Sequence, residues 1–252
     1  MTAPALVALA HGSQNPRSAA TVHALTQRVS SMRPDLRVEA AFLDHCDPSP
    51  TAVFERLVAD GYEEIVVVPL LLTSAFHARV DVPGVIDEAT RRHPGLRIRV
   101  SDVLGDAAPS AGLLDVLDRR LRTALKTARA TEIDALVLAA AGSSDPLANA
   151  AVSRLARLWG TRHKLPAMAA FASAAPPATG EAVREFRRQG RRHVAVGSYF
   201  IAPGFLPERA DELAVEAGAI AVADPLGDDP EVAWLLLTRY TVAAVELVPL
   251  PA

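Results

Sequence analysis

Cysteine is nearly absent from this chain. The 252 residues include one, Cys46, which excludes an internal disulfide framework and any cysteine-rich zinc or iron–sulfur site. An excess of charge of one sign is also missing. There are 26 Lys and Arg against 29 Asp and Glu, a formal net charge of -3, so the sequence carries no electrostatic footprint for nucleic acid or an anionic membrane. Apolar runs are short, as from Ile65 to Leu72, far below the ~20 residues of a spanning helix. The apolar stretch Ala3 to Ala10 has no basic region before it and passes directly into His11-Gly12-Ser13, which reads as a first strand and not as a signal peptide. The phosphate-binding patterns G-x-G-x-x-G and G-x-x-x-x-G-K-[ST] are missing, and so is the nucleophile-elbow pattern G-x-S-x-G. Nucleotide binding and serine hydrolase chemistry therefore have no positive support. With half of its residues hydrophobic and 22% charged, the chain reads as a globular, cytoplasmic protein of one large or two small domains.

Strand-like runs alternate with helix-length amphipathic segments. Ala5 to Ala10, Arg37 to Phe42, Ile65 to Leu70 and Leu96 to Val100 read as strands. Segments from about Ser18 to Ser31, Ser49 to Ala59, Val82 to Arg92 and Ser110 to Ala128 read as helices. A continuous apolar run such as Ile65 to Leu70 suits a strand buried on both faces, and the alternation implies a parallel, doubly wound α/β sheet.

The order then restarts. Ala135 to Ala140 followed by Ala141-Gly142-Ser143 repeats the first strand and its His11-Gly12-Ser13 at an offset of 130. Ala170-Phe171-Ala172-Ser173 repeats Ala41-Phe42-Leu43-Asp44 at 129, Gln189-Gly190 repeats Asp60-Gly61 at 129, and Val194-Ala195-Val196 repeats Val66-Val67-Val68 at 128. The run Val222 to Asp228 echoes Val100 to Asp106 at 122. Offsets that drift slowly and stay in order mean an internal duplication with small indels. The short polar stretch near residues 127–132 divides the chain into halves 1–129 and 130–252. The expected architecture is two homologous α/β domains, each a parallel sheet flanked by helices, with a site in the cleft between them at the carboxyl ends of the strands.

At those strand ends the first half carries His11, Asp44 and His77. The second half has Ala141, Ser173 and roughly Phe205 there. Two imidazoles and a carboxylate form a set suited to a first-row divalent ion. Each residue also has a plain structural role open to it. His11 can cap a strand end by a backbone hydrogen bond, His77 can be a solvated loop residue, and Asp44 can serve turn chemistry. In Asp44-His45-Cys46-Asp47, strand-like alternation would set Asp44 and Cys46 on one side and His45 and Asp47 on the other, so a compact four-ligand site is not expected. His23, His93, His163 and His193 read as surface residues. The loop Gly12 to Arg17 opens a helix, where unpaired N–H groups and the Arg17 guanidinium suit a carboxylate or phosphate. Ordinary capping by Ser13 or Asn15 would explain the same residues.

Leu9-Ala10-His11-Gly12-Ser13 resembles the N-terminal signature of the CbiX/SirB-type sirohydrochlorin chelatases. Ala41-Phe42-Leu43-Asp44 resembles that family's second-strand motif, whose acidic position is often Glu. Val68-Pro69-Leu70-Leu71-Leu72, then His77 and Asp81-Val82-Pro83, is similar to its P-L-F-L … H … D-I-P segment. The resemblance covers essentially the whole chain, in a long form made of two homologous halves. It implies a class II chelatase, a lyase-type enzyme that inserts Fe²⁺ or Co²⁺ into sirohydrochlorin without ATP, in sirohaem or cobalamin biosynthesis. No organic cofactor is implied, and the divalent metal is a substrate. Carried over by position, His11 and His77 bind the metal and accept protons, and Asp44 stands at the acidic position with a reach one methylene shorter than Glu. Ser13, Asn15, Arg17 and Arg79 are the expected contacts to the macrocycle's carboxylates. The second half, without the histidines, would shape the site and hold the macrocycle. Such a duplicated chain can work as a monomer. Two other readings are a tetrapyrrole or metal carrier using the same cleft, and a phosphate-handling enzyme with His11 as nucleophile; the latter leaves His77 without a role.

Overall fold

In the computed structural model, the described residues are 3–73, 81–106 and 111–247. They form two compact units. One comprises residues 1–108 and 228–252, the other residues 109–227.

The first unit is built on four parallel strands: β1 (Ala5–Ala10), β2 (Val38–Phe42), β3 (Glu64–Pro69) and β4 (Arg97–Val100). Their spatial order is β2-β1-β3-β4, with Leu6 opposite Val38 on one side and Val66 on the other. All six residues of β1 are buried. That explains its unbroken apolar sequence: a central strand covered on both faces has no solvent side to alternate with. Around the sheet lie α1 (Pro16–Met32), α2 (Pro50–Ala59) and α3 (Asp81–Arg92). Val53, Phe54 and Leu57 of α2 and Val82 and Ala89 of α3 pack on Ala5, Val7, Leu9, Ile65 and Val67. The helix begun by Asp229 and Pro230, the last of eight among the described residues, belongs to this unit as well and packs against α1, β3 and β4.

The second unit repeats the plan with β5 (Ala135–Ala140), β6 (Ala167–Phe171), β7 (Val194–Tyr199) and β8 (Ala221–Val222) in the order β6-β5-β7-β8. Its helices are α4 (Ala111–Thr127), α5 (Pro146–His163), α6 (Thr179–Arg188) and α7 (Phe205–Glu216). The C-terminal α8 (Pro230–Val245) completes the count among the described residues. Ala182, Val183 and Phe186 of α6 and Ala210 and Ala214 of α7 fill one face of the sheet against Ala135, Val137, Val194 and Val196; α4 and α5 also pack on the sheet.

Helix starts follow a rule visible in the sequence. Asn15-Pro16, Ser49-Pro50, Asp145-Pro146 and Asp229-Pro230 each place a capping side chain before a first-turn proline. The cap accepts an otherwise unpaired N–H, and proline lacks an N–H that would need a partner. The first helix accordingly begins at Pro16, two residues before the expected Ser18.

The compact units do not coincide with the division at 129/130. Helix α4 lies in the first half of the sequence but contacts β7 and β8, and α8 lies in the second half but contacts α1, β3 and β4. Specific side chains fix both. Asp118 of α4 is 3% exposed. It accepts a hydrogen bond from the indole N–H of buried Trp159 at 2.8 Å. Its carboxylate also lies 2.7 Å from His163 Nε2 and 3.3 Å from the Arg162 guanidinium, all on α5. From α8, the Tyr240 hydroxyl donates to the Pro4 carbonyl at 2.8 Å. Thus His163 is part of a buried-acid network, not the surface residue expected, whereas His23 is exposed as expected, with its ring edge-on to Phe42 at 5.6 Å. No helix among the described residues is long and apolar enough to cross a membrane.

Candidate active site

The strand order 2-1-3-4 reverses between β1 and β3. Helices leave the carboxyl ends of these neighbouring strands in opposite directions, and loops there are free to converge on a ligand. His11 directly follows β1, the segment containing His77 follows β3, and Asp44 follows β2. The topology thus leads all three stretches of chain away from the same edge of one sheet. His77 and Arg79 themselves lie outside the described residues, as does the stretch 74–80.

Beyond Phe42 the chain ceases to be a strand. Asp44 N–H donates to the His11 carbonyl at 2.9 Å, and Cys46 N–H returns to the Asp44 carbonyl at 2.9 Å. The Asp44 carboxylate accepts from the next residue's N–H, that of His45, at 2.7 Å. His45 takes a left-handed backbone, φ 67°. The turn carries its imidazole back towards the site: Nε2 lies 3.6 Å from Asp44 Oδ2, and the ring stands edge-on to that of His11 with centroids 6.1 Å apart. This corrects the expectation from strand alternation, which set His45 on the opposite side from Asp44. His45 was missed because the period of two was carried past the last strand residue.

Gly12 makes the close approach possible. Its φ is +96°, and a Cβ there would sit 1.9 Å from the Asp44 carbonyl oxygen. Only glycine fits both the backbone angle and the space. Beyond it, Ser13 Oγ accepts from Asn15 N–H at 3.1 Å, and Asn15 Oδ1 accepts from Arg17 N–H at 2.9 Å. The capping explanation therefore holds for the side-chain oxygens of Ser13 and Asn15. Arg17, on the first turn of α1, is exposed.

The second unit keeps this backbone without its chemistry. Ser173 N–H donates to Ala141 O at 2.9 Å and Ala175 N–H to Ser173 O at 2.7 Å. Ala174 is left-handed at φ 60° and Gly142 has φ 85°, with a notional Cβ 2.0 Å from Ser173 O. Ser143 Oγ accepts from Asp145 N–H, and Asp145 Oδ1 from Leu147 N–H. Where the first unit has His11, Asp44, His45 and Cys46, this one has Ala141, Ser173, Ala174 and Ala175. The helix starts at Asp81 and Phe205 correspond, so Phe205 matches Asp81, four residues beyond the position assigned to it from sequence. Alanine at a left-handed position has no local reason to be there; it marks a turn inherited from the duplicated fold. Among the described residues no three His, Cys, Asp or Glu side chains converge closely enough to enclose a metal ion.

A twice-occurring switch-point α/β unit, with imidazoles and a carboxylate on one copy, matches the CbiX family model over residues 5–124 and again over 135–243. The chain belongs to the CbiX family. It is 26% identical over 209 residues to a sirohydrochlorin cobaltochelatase of Priestia megaterium, covering 81% of this chain and just under two thirds, 66%, of that protein. It is 25% identical over 237 residues to a sirohydrochlorin ferrochelatase of the same organism, covering 92% and 87%. SirB from Bacillus subtilis with Fe³⁺ has the same fold, with a TM-score of 0.79 over 97% of each chain at 24% identity. CbiX, the terminal enzyme for biosynthesis of siroheme in denitrifying bacteria, aligns with a TM-score of 0.68 over 95% of this chain and 99% of that one at 22% identity.

Proposed function

We propose that this chain inserts a divalent metal ion, Fe²⁺ or Co²⁺, into sirohydrochlorin, with the first repeat carrying the chemistry. The observation that carries the reading is the contrast between two copies of one backbone: His11, Asp44 and His45 gather at the carboxyl edge of one, and Ala141, Ser173 and Ala174 stand at the same places in the other. The names of the relatives supply the substrate.

The reaction exchanges two pyrrole N–H protons for M²⁺, with no electrons transferred. It needs ligands that hold the ion loosely and bases that accept protons near neutral pH, and neutral imidazole can do both. In this reading His11 and His77 bind the incoming ion and take the two protons. Asp44 offsets the positive charge and orients His45, as an outer-shell carboxylate orients a histidine. Arg17 and Arg79 pair with peripheral carboxylates of the macrocycle, for which a guanidinium is the best-matched side chain. Ser13 and Asn15 hold the loop that presents Arg17. The ion leaves in the product, so weak binding suffices, and the step involves no nucleotide.

The test is anaerobic metallation of metal-free sirohydrochlorin, followed by its visible spectrum with Co²⁺ and Fe²⁺ in parallel. The wild-type protein accelerates metallation, and His11→Ala and His77→Ala each lower kcat by on the order of 100-fold, the range of a lost acid–base group. A protein that binds the macrocycle and never exceeds the uncatalysed rate would be a carrier.

A further inference from the structure

The duplication supplies an internal control for the turn after β2. His45 is left-handed at φ 67°, and Ala174, at the same place in the second unit, is left-handed at φ 60°. The flanking backbone bonds also match: Asp44 and Ser173 donate to the His11 and Ala141 carbonyls, and Cys46 and Ala175 donate back to residues 44 and 173. Alanine builds the same turn, so the imidazole is not needed to form it. Nor is the ring packed into a core, since the His45 side chain is 38% exposed. The Asp44 carboxylate is turned onto this residue with both oxygens. Oδ1 accepts from His45 N–H at 2.7 Å, and Oδ2 lies 3.6 Å from Nε2. The tautomer that places its N–H towards that carboxylate has its lone pair at Nδ1. The ring also stands edge-on to that of His11, with centroids 6.1 Å apart. Metal–nitrogen bonds of about 2.1 Å set the centroids of two imidazoles on one ion roughly 5–6 Å apart, so this pair is spaced close to what a shared ion requires.

We infer that His45 is a ligand of the incoming divalent ion, shared with His11, and that Asp44 acts on the ion through His45. The inference rests on the reading of the first repeat as the metal-handling copy and adds a ligand to it. A carboxylate behind a ligating imidazole fixes the ring's orientation and tautomer and raises its basicity. Asp44 stands in that relation to Nε2 of His45. Imidazole nitrogen suits first-row ions such as Fe²⁺ and Co²⁺. A sparse ligand set also suits the task. An ion that must pass to the pyrrole nitrogens needs coordination positions open to water and to the macrocycle, as metal sites that do chemistry keep a position open. In keeping with this, no three His, Cys, Asp or Glu side chains among the described residues enclose an ion.

The probe is Co²⁺ alone, added anaerobically to the full-length protein without macrocycle and followed by its visible ligand-field bands. Two variants are compared with wild type. His45→Ala copies Ala174, and Asp44→Asn keeps an acceptor for the His45 N–H while removing the charge. Each should raise the Kd for Co²⁺ about 10-fold or more, the scale on which a ligand's outer partner acts, and His45→Ala should also change the bands. Both should keep the wild-type circular dichroism. Their Kd for sirohydrochlorin should stay within about twofold of wild type, and their KM for the metal should rise in steady-state metallation. The double variant His11→Ala, His45→Ala should lose less than the product of the two single losses, because residues that share one ion do not act independently. If wild type metallates sirohydrochlorin while His45→Ala keeps its Co²⁺ affinity and bands, the assignment is wrong and the chelatase reading stands. Losses that multiply in the double variant would overturn the shared ion. A raised Kd for sirohydrochlorin at unchanged Kd for Co²⁺ would make His45 a macrocycle contact and overturn the assignment too. A wild-type protein that binds Co²⁺ through His11 and His45 and never metallates the macrocycle supports the ligand and overturns the chelatase reading.

Discussion

Gly12 and His45 show how closely this site is tied to backbone geometry. A Cβ at position 12 would collide with the Asp44 carbonyl at 1.9 Å, on a backbone angle hostile to any other residue. Gly12→Ala should therefore destabilise the protein by roughly 2–4 kcal/mol in thermal unfolding, and should lower the metallation rate by shifting Asp44 and His45. His45→Asn is the complementary change, because Asn tolerates the left-handed backbone that His45 adopts. It should keep the wild-type melting temperature and lose rate, so its kinetics isolate the imidazole. Asp211 of α7 makes a different prediction. Burial, with Asp224, Glu208 and Glu212 nearby, pushes its pKa up to about 7, and its Oδ1 is buried without a hydrogen-bond partner. A raised folded-state pKa means that the native state binds the proton more tightly than the unfolded chain. Stability therefore falls as pH rises from about 4 to about 7, and the penalty is complete above that. Asp211→Asn should raise stability at pH 8 by on the order of 1–2 kcal/mol, reduced from the full shift because water reaches the group. The gain should vanish at pH 4, as measured by urea unfolding at the two pH values.

At the scale of elements, the strands were legible and the helix partners were not. Central parallel strands are buried on both faces, so Ala5–Ala10 and Glu64–Pro69 announce themselves as apolar runs. Capping pairs such as Asn15-Pro16 mark the helix starts. An amphipathic helix shows that it packs, not what it packs on, and so the sheet that each of α4 and α8 covers, in the unit built mainly from the other half of the sequence, was not legible. The clue lay in spacing: Asp115 and Asp118 share one face of α4, and Trp159 and His163 share one face of α5. The bond between them is a buried acid with three partners. Asp118→Ala should cost about 3–5 kcal/mol in urea unfolding by leaving the buried Trp159 N–H and His163 without their acceptor, while Arg162 keeps Asp115. Asp118→Asn should cost less, since it keeps an acceptor for the indole. Of the candidate site, His11, Asp44 and the helix-start loop were legible because each follows a recognisable strand. His45 was not, because only the turn after Phe42 brings it back.

For the whole molecule, duplication and compactness divide the chain differently. The repeats meet near residue 130, yet each unit borrows a helix from the other half of the sequence. A fragment of residues 1–129 would carry α4 without its partners on β7, β8 and α5, and would lack α8 over α1, β3 and β4. It should show no cooperative thermal transition, although it contains every expected metal-binding residue. A fragment with a sharp transition and full activity would show that the borrowed helices are dispensable.

The central claim is that one scaffold occurs twice and one copy carries the metal chemistry. It is tested most directly by giving the first repeat the second repeat's residues. The triple variant His11→Ala, Asp44→Ser, His45→Ala reproduces the composition at Ala141, Ser173 and Ala174 on a backbone already known to accept it. Anaerobic metallation of sirohydrochlorin by this variant, alongside its melting temperature and its affinity for the macrocycle, is the measurement. We predict a folded protein that still binds sirohydrochlorin and metallates it no faster than the uncatalysed reaction. A variant that folds, binds and retains the wild-type rate would contradict the account.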